Sequence, residues 1–508
     1  MGVAQEIGVE AQRLIVRHEK YAKDLADEFE RRNRRTGRSD EYVVLRPQYW
    51  AAANGFNPYL VRANHERIGR SIRTALRNLE YRPRNSIIYQ VPKGENDFRK
   101  VAVFQVADSA VSRVVFHNLL QKNRQKLSAY SFAYRADLTV HDAIQHISSD
   151  IRGKPRIFVA EYDFSKYFES IRHEHIWQTL QQQRFLFTEV ERHVMSAFLN
   201  CASLLGDDYV EFGSLSRDVG VPQGTSISLF LANVAAWPLD RALERLGVGF
   251  ARYADDTLIW STDYARLCEA VDSVNEIALA IGAELNLRKS SGISILAPDG
   301  APAEFKSKNS VDFVGYSFSS KGISIRKSSV DRIKRHIAYL VYTNLLQGPL
   351  SGSITPPRFL PYVDRDYVVL IRQLRRYLYG DLTEKKLRQY QREVVPRIRY
   401  KGIMAFYPAI DETDVLKALD GWLLHTISTS LRKRSNILEG VGFTDLPQPH
   451  GLTNSQLIKF HGRSRQGADL DLEIPSFVRI SEMLRRAALT YGPNAIANPK
   501  SNNYYPDI

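Results

Sequence analysis

Phe250-Ala251-Arg252-Tyr253-Ala254-Asp255-Asp256-Thr257-Leu258-Ile259-Trp260 is a pair of apolar, β-rich runs joined by two adjacent carboxylates. It reads as a hairpin with both acids at its tip. Aspartate is also favoured in turns for purely local reasons, so this segment alone is equally compatible with a solvated turn. Upstream, Arg156-Ile157-Phe158-Val159-Ala160-Glu161-Tyr162-Asp163-Phe164-Ser165 runs an apolar strand directly into Asp163 and on towards Tyr167-Phe168. A carboxylate at one strand end beside an Asp-Asp hairpin tip forms an acidic cluster whose mutual repulsion calls for a cation, and hard oxygen ligands select magnesium. Two such ions side by side can activate a hydroxyl and stabilise a pyrophosphate leaving group in an in-line displacement.

Composition sets the frame around this pair of strands. At 508 residues the chain is long enough for two or three cores. Its hydrophobic fraction of 44% and charged fraction of 25% exclude wholesale disorder and fibrous classes. Lys plus Arg outnumber Asp plus Glu by 70 to 56, a formal charge of +14, which favours a polyanionic partner without specifying one. The two cysteines, Cys201 and Cys268, lie far apart without CxxC spacing, so neither a zinc site nor a disulfide framework is read, and a reducing cytoplasm is expected. No apolar run has the length of a membrane span, and no membrane partner is expected.

Between about residues 98 and 320, strand-like runs at 157–164, 249–254, 257–261 and 311–318 alternate with helical segments at 106–122, 140–151, 173–184, 226–246 and 264–281. This is an α+β layout with a mainly antiparallel sheet flanked by helices. The first 45 residues read as an amphipathic helical lead-in, and Arg62–Leu79 as a second, basic helix. After about residue 325 the chain turns helical and basic, with ten Lys or Arg against three acids in 372–401, the best candidate for gripping a phosphate backbone. The expected divisions are a helical N-terminal region (1–84), the α+β body (85–320), a basic helical segment (321–402) and a C-terminal extension (403–508).

Taken together, the pieces resemble the palm motifs of reverse transcriptases, in that family's order. Asp163-Phe164-Ser165-Lys166-Tyr167-Phe168 is similar to the first palm motif, Gly220-Val221-Pro222-Gln223-Gly224-Thr225-Ser226 to the PQG motif, and Tyr253-Ala254-Asp255-Asp256 to the YxDD box. Phe98-Arg99-Lys100 with Asp108 through Arg113 resembles the first fingers motif, and Ser131-Phe132-Ala133-Tyr134-Arg135 the second. Leu285-Asn286-Leu287-Arg288-Lys289-Ser290 resembles the palm motif that supplies a lysine, and Phe313-Val314-Gly315-Tyr316 the primer grip. The resemblance covers about residues 85–320. It implies a right-hand polymerase with fingers and palm, followed by a helical thumb and a helical extension.

The resemblance also implies roles. Asp163, Asp255 and Asp256 are expected to be the catalytic carboxylates, holding two Mg2+ ions (Mn2+ as a substitute) together with the backbone of Phe164. Lys100, Arg135, Gln223, Gly224 and Lys289 are expected around the incoming nucleotide, and Phe168 where a bulky ring excludes a ribose 2′-hydroxyl. Phe313, Gly315 and Tyr316 would form the primer grip. Arg372, Arg375, Arg376, Lys385, Lys386 and Arg388 are expected to bind nucleic acid, with Arg432-Lys433-Arg434 as a further basic stretch and Tyr377, Tyr379, Tyr390 and Tyr400 available for stacking.

The compact palm with a long helical extension is most similar to bacterial defence-associated, or unknown-group, reverse transcriptases. That similarity implies antiphage defence with a structured non-coding RNA as partner, deoxynucleoside triphosphates as substrates and DNA as product; a homo-oligomer is compatible with the sequence. Untemplated synthesis by the same residues, and protein priming from Tyr504 or Tyr505, stand as alternatives. A non-catalytic RNA-binding scaffold is a third reading, disfavoured by three converging carboxylates that repel one another without a metal.

Overall fold

A computed structural model describes residues 2–36, 39, 41–94, 97–213, 218–286, 290, 292–298, 300, 302, 304–354, 358, 363–380, 382–393, 395–398, 400–464 and 467–496. The chain forms two compact units. Met1–Phe29, Glu41–Leu138 and Ile157–Ile295 make the first, and Glu30–Asp40, Thr139–Arg156 and Leu296–Ile508 the second.

The first unit opens with helices α1 (Val3–Thr36) and α2 (Pro58–Arg77). Asn57 starts α2 by accepting the Tyr59 N–H at 3.0 Å, and Pro58 sits where a missing N–H costs nothing. Ile7 and Ala11 of α1 and Val61 and Ile72 of α2 enter the same apolar core, while the opposite face of α2 stays in solvent. An antiparallel hairpin follows, β1 (Ser86–Gly94) and β2 (Asp97–Val103), with Lys100 opposite Gln90, and then helix α3 (Val106–Asn123).

Four strands of this unit share a sheet. They are β3 (Ile157–Tyr162), β4 (Gly249–Tyr253), β5 (Asp256–Ser261) and β6 (Ile293–Leu296), in the order β4-β5-β3-β6. Thr257, Leu258, Ile259 and Trp260 are all buried, as befits a central strand with both faces covered. Gly249 lies opposite Trp260, and a Cβ there would sit 2.1 Å from the indole nitrogen, so the ring packs only because residue 249 has no side chain.

Helix α4 (Ser226–Leu246) buries Ile227, Phe230, Leu231, Val234, Leu239 and Leu243, most of its circumference, as a core helix does. One of its first N–H groups, that of Ile227, donates to Ser112 Oγ of α3 at 2.9 Å, so tertiary packing supplies the cap. Helix α5 (Tyr264–Ile281) is capped locally by Asp263. The expected strands and helices at 157–164, 249–254, 257–261, 226–246 and 264–281 are present within a few residues, and the α+β class is the observed one.

The second unit contains a three-stranded antiparallel sheet of β7 (Val311–Phe313), β8 (Tyr316–Phe318) and β9 (Ile323–Ile325), with β8 in the middle. Its helices include α6 (Lys327–Val341), α7 (Arg365–Tyr379), α8 (Glu384–Arg392), α9 (Asp414–Gly440) and α10 (Phe477–Tyr491). A small hairpin, β10 (His461–Arg463) and β11 (Asp469–Asp471), completes it. Among the described residues, no helix is long and apolar enough to cross a membrane.

Candidate active site

The site grows out of strand register. In the antiparallel β3–β5 ladder Tyr162 pairs with Thr257, so the next residue of β3, Asp163, comes opposite Asp256. On the other side of β5, Tyr253 pairs with Asp256, leaving Ala254 and Asp255 as the two-residue turn. Neighbouring strands are about 4.8 Å apart, so the three carboxylates arise at one end of three adjacent strands. Asp163 is 8% exposed, Asp255 is half-buried and Asp256 is exposed.

Local backbone strain marks the same place. Ala254 has φ 61°, Lys166 φ 48° and Tyr134 φ 61°, left-handed conformations that cost a residue with a Cβ roughly 1–2 kcal/mol each. All three belong to the motif-bearing segments.

Asp163 is oriented by the chain that follows α5. The Asn286 side-chain amide donates to Asp163 Oδ2 at 3.0 Å, the Asn286 N–H donates to the Asp163 carbonyl at 2.8 Å, and Ser290 Oγ accepts the Asp163 N–H at 3.4 Å. The Ser165 N–H donates to the Glu284 carbonyl, so Phe164 faces Leu285 at a position between the ladder's hydrogen bonds. The Phe164 ring is buried and stacked 5.2 Å from that of Tyr167.

Arg252, which the sequence reading passed over as part of a strand, is the hub of the hairpin. It is 1% exposed and binds Asp240 of α4 through both oxygens at 2.7 Å, Asn233 Oδ1 at 3.2 Å, Ser131 Oγ at 2.7 Å and the Ala254 carbonyl at 3.0 Å. Its backbone bonds Tyr130 and Phe132, stitching the second fingers motif to β4. A lone charge in an otherwise apolar strand was the available signal, because a buried guanidinium requires a carboxylate.

Tyr134 is the other residue the sequence reading left without a role. Burial raises its phenol pKa well above the usual value, and the nearby Asp255 charge raises it further. Its ring stands edge-on to Phe168 at 6.4 Å, and Phe168 in turn lies edge-on to Tyr167 at 5.8 Å. Phe168 is partly exposed and packs against the edge of the unit's apolar core.

The Gln223-Gly224 loop is clamped to β2. The Ala102 N–H donates to the Gln223 carbonyl at 2.5 Å, and Gly224, at φ 129°, leaves only 2.1 Å between a notional Cβ and the Ala102 carbonyl oxygen. His173 Nε2 holds the Gly220 carbonyl at 2.7 Å, and the Val221 N–H donates to the Phe168 carbonyl at 2.6 Å. The loop thus bridges the fingers hairpin and the Asp163 segment. Lys100 is exposed on β2.

Several other expected contacts look different in the fold. Arg135 is 7% exposed and is spent on Asp137, at 3.1 and 2.8 Å, and on the carbonyls of Ser128 and Ser131, so it braces its own loop. That bond holds the Asp137 carboxyl down at about 2. Lys289, Tyr504 and Tyr505 lie outside the described residues.

In the second unit, Phe313 and Tyr316 are buried and the Val314-Gly315 turn between them, with φ 42° and 90°, is half-buried. Arg375 does not face solvent: it binds Asp471 Oδ1 at 2.7 Å, the Asp471 carbonyl at 3.0 Å and the Glu473 carbonyl at 2.9 Å. Arg388 pairs with Glu473 at 2.5 Å, and Arg434 is buried against Asp364 and Asp366. Tyr379 and Tyr400 are buried, and the Tyr377 ring lies against that of His336, tilted, at 4.2 Å, so three of the expected stacking tyrosines are engaged within the unit. Arg372, Arg376, Lys385 and Lys386 are exposed. His461, Asp471 and Glu473 come close enough to hold a metal, but Arg375, Arg388 and Arg479 already neutralise those carboxylates.

No curated protein matches the chain. Among solved structures, it is similar to apo telomerase from Candida tropicalis truncated from its C-terminal domain, with 13% identity over 52% of this chain and 60% of that one, TM-score 0.37. It is also similar to telomerase from Candida albicans in complex with the TWJ fragment of telomeric RNA, with 12% identity over 76% of this chain and 68% of that one, TM-score 0.40. The chain thus spans about three fifths to two thirds of these relatives' lengths. The family model for reverse transcriptase (RNA-dependent DNA polymerase) matches residues 91–318, the stretch that holds Asp163, the Gln223-Gly224 loop and the Asp255-Asp256 turn. The chain therefore carries a reverse-transcriptase domain, the nucleotidyltransferase fold of the RNA-directed DNA polymerases.

Proposed function

We propose that this chain copies RNA into DNA by two-metal nucleotidyl transfer at Asp163, Asp255 and Asp256, working with a dedicated structured RNA in bacterial antiphage defence. The observation that carries the catalytic part is the register, which sets Asp163 opposite Asp256 with Asp255 in the turn beside them. The donor set fits divalent magnesium, being made of hard carboxylate oxygens with one acid buried, one half-buried and one exposed. Magnesium bound there would lower the pKa of a primer hydroxyl and neutralise charge on the leaving pyrophosphate.

The chain's own residues do the rest. Asn286 and Ser290 fix Asp163, Arg252 fixes the turn that presents Asp255, and the Gln223-Gly224 loop, held on β2 and on Phe168, walls the nucleotide side. In this reading Phe168, whose ring meets those of Tyr134 and Tyr167, excludes a ribose 2′-hydroxyl and so favours deoxynucleotides. Lys100 and exposed Arg372, Arg376, Lys385 and Lys386 remain the phosphate contacts of this reading. Support for the defence role is the resemblance of a compact palm with a long helical extension.

The test is labelled deoxynucleotide incorporation with magnesium on a primed RNA template, wild type against Asp255→Ala. Incorporation that disappears in the variant is expected; equal incorporation by both would remove Asp255 from the chemistry.

A further inference from the structure

Helix α2 lies before the stretch that matches the reverse-transcriptase family, and nothing in the catalytic site uses it. One face, with Val61, Gly69 and Ile72, is buried in the first unit. The other presents Arg62, Arg67, Arg70, Arg73 and Arg77 to solvent against a single acid, Glu66. Arg62, Arg70, Arg73 and Arg77 fall within a wedge of about 80° at 100° per residue, a stripe about 22 Å long at 1.5 Å per residue.

Two features separate this stripe from an ordinary solvated face. First, among the described residues none of the five arginines has a carboxylate at ion-pair distance, whereas Arg375, Arg388, Arg434 and Arg479 of the second unit are each paired with Asp or Glu. The acid on the face, Glu66, is placed beside His65 at 3.5 Å. Second, Arg67–Arg70, Arg70–Arg73 and Arg73–Arg77 are like-charge neighbours at i,i+3 or i,i+4, an arrangement that disfavours the helix and that an anion lying across it relieves. Guanidinium groups prefer phosphate because their fork of donors matches its oxygens.

We infer that the arginine face of α2 is a docking surface for the phosphate backbone of RNA, separate from the carboxylate site. The choice of RNA as occupant rests on the reading that this enzyme works with RNA. The contact is electrostatic, so it tightens binding and leaves the chemical step alone. Each phosphate neutralised contributes about 0.9 to the slope of log affinity against log salt on a duplex.

The test uses the full chain, a labelled RNA hairpin with a single-stranded tail, and the triple variant Arg70→Gln/Arg73→Gln/Arg77→Gln, which keeps helix-forming side chains. RNA affinity near physiological salt is expected to fall by about tenfold or more, and the salt slope by about 2 to 3. Incorporation on a short primed template at saturating concentration is expected to match wild type. Asp255→Ala should show the reverse pattern, binding RNA normally while incorporating nothing, so failure of the active-site reading and of this one are told apart. Unchanged affinity and slope in the triple variant would overturn the proposal. So would a triple variant that still binds RNA but no longer binds phosphatidylserine vesicles that wild type binds, since the face would then be a membrane contact.

Discussion

Replacing Arg252 by Met removes a charge whose partner, Asp240, has a carboxylate only 2% exposed. Asp240 would be left buried and ionised without a counter-charge, and breaking such a pair from one side costs about 3–5 kcal/mol. With a urea dependence of roughly 3 kcal/mol per molar for a unit of this size, the midpoint of unfolding should drop by about 1–2 M. The double variant Arg252→Met/Asp240→Leu removes both charges and should recover most of that loss, because an apolar pair of similar volume packs there without a desolvation penalty. Activity should behave differently. Arg252 bonds the Ala254 carbonyl and Ser131 together, so both variants lose this clamp on the left-handed turn that presents Asp255. Single-turnover incorporation should remain slow, by roughly 10–100-fold, in the double variant as in the single one, the scale expected when a catalytic group is misplaced by about 1 Å. The assay is urea denaturation beside single-turnover kinetics at saturating magnesium. A double variant that regains both stability and rate would show that Arg252 merely neutralises Asp240 and does not position the turn.

Three further outcomes follow from the same geometry. Ala254→Gly should raise the urea midpoint slightly, by the equivalent of about 1 kcal/mol, because glycine adopts φ 61° without a Cβ clash; a lower midpoint would mean the turn is not strained. Phe168→Ala should raise ribonucleotide incorporation relative to deoxynucleotide by tenfold or more, read as a ratio of kcat/KM, and an unchanged ratio would place the sugar elsewhere. Burial pushes the Asp108 carboxyl up to about 6, against bonds from the Tyr81 hydroxyl at 2.7 Å and the Arg84 N–H at 3.0 Å that pull it down. A folded value above the unfolded one means the native state holds the extra proton, so this group's contribution to stability is present below about pH 4 and is lost as pH rises to about 6. Denaturation midpoints at pH 4.5 and 7 should therefore differ less in Asp108→Asn than in wild type, and equal differences would reject the assignment.

Much of the candidate site is legible in the sequence. A strand ending in Asp163, a hairpin tipped by Asp255-Asp256 and a Pro-Gln-Gly turn between them are local patterns, and period-2 pairing leaves little freedom in how two such strands align. What the pattern did not carry is which polar groups are consumed by the fold itself. Arg135, Arg375, Arg388 and Arg434 look like free cations in a sequence, because the acids that engage Arg375 and Arg434 lie some 70 to 100 positions away or, for Arg135, across a turn no periodicity reveals. Tyr379 and Tyr400 look like stacking platforms for the same reason, since helical spacing does not say which face meets the core.

The amino-acid sequence by itself determined the α+β class and the order of the elements, which follow from local periodicity and turn chemistry, and it singled out Asp163, Asp255 and Asp256 as candidates. Only the tertiary structure decided which residues hold those carboxylates in place. Asn286 on Asp163, Arg252 between Asp240 and the Ala254 carbonyl, and Gly224 against Ala102 are contacts between segments far apart in the chain, or choices among many equally allowed partners. The physical reason is that a buried charge takes its meaning from the nearest opposite charge or dipole in space, and that distance is set by packing, not by spacing along the chain.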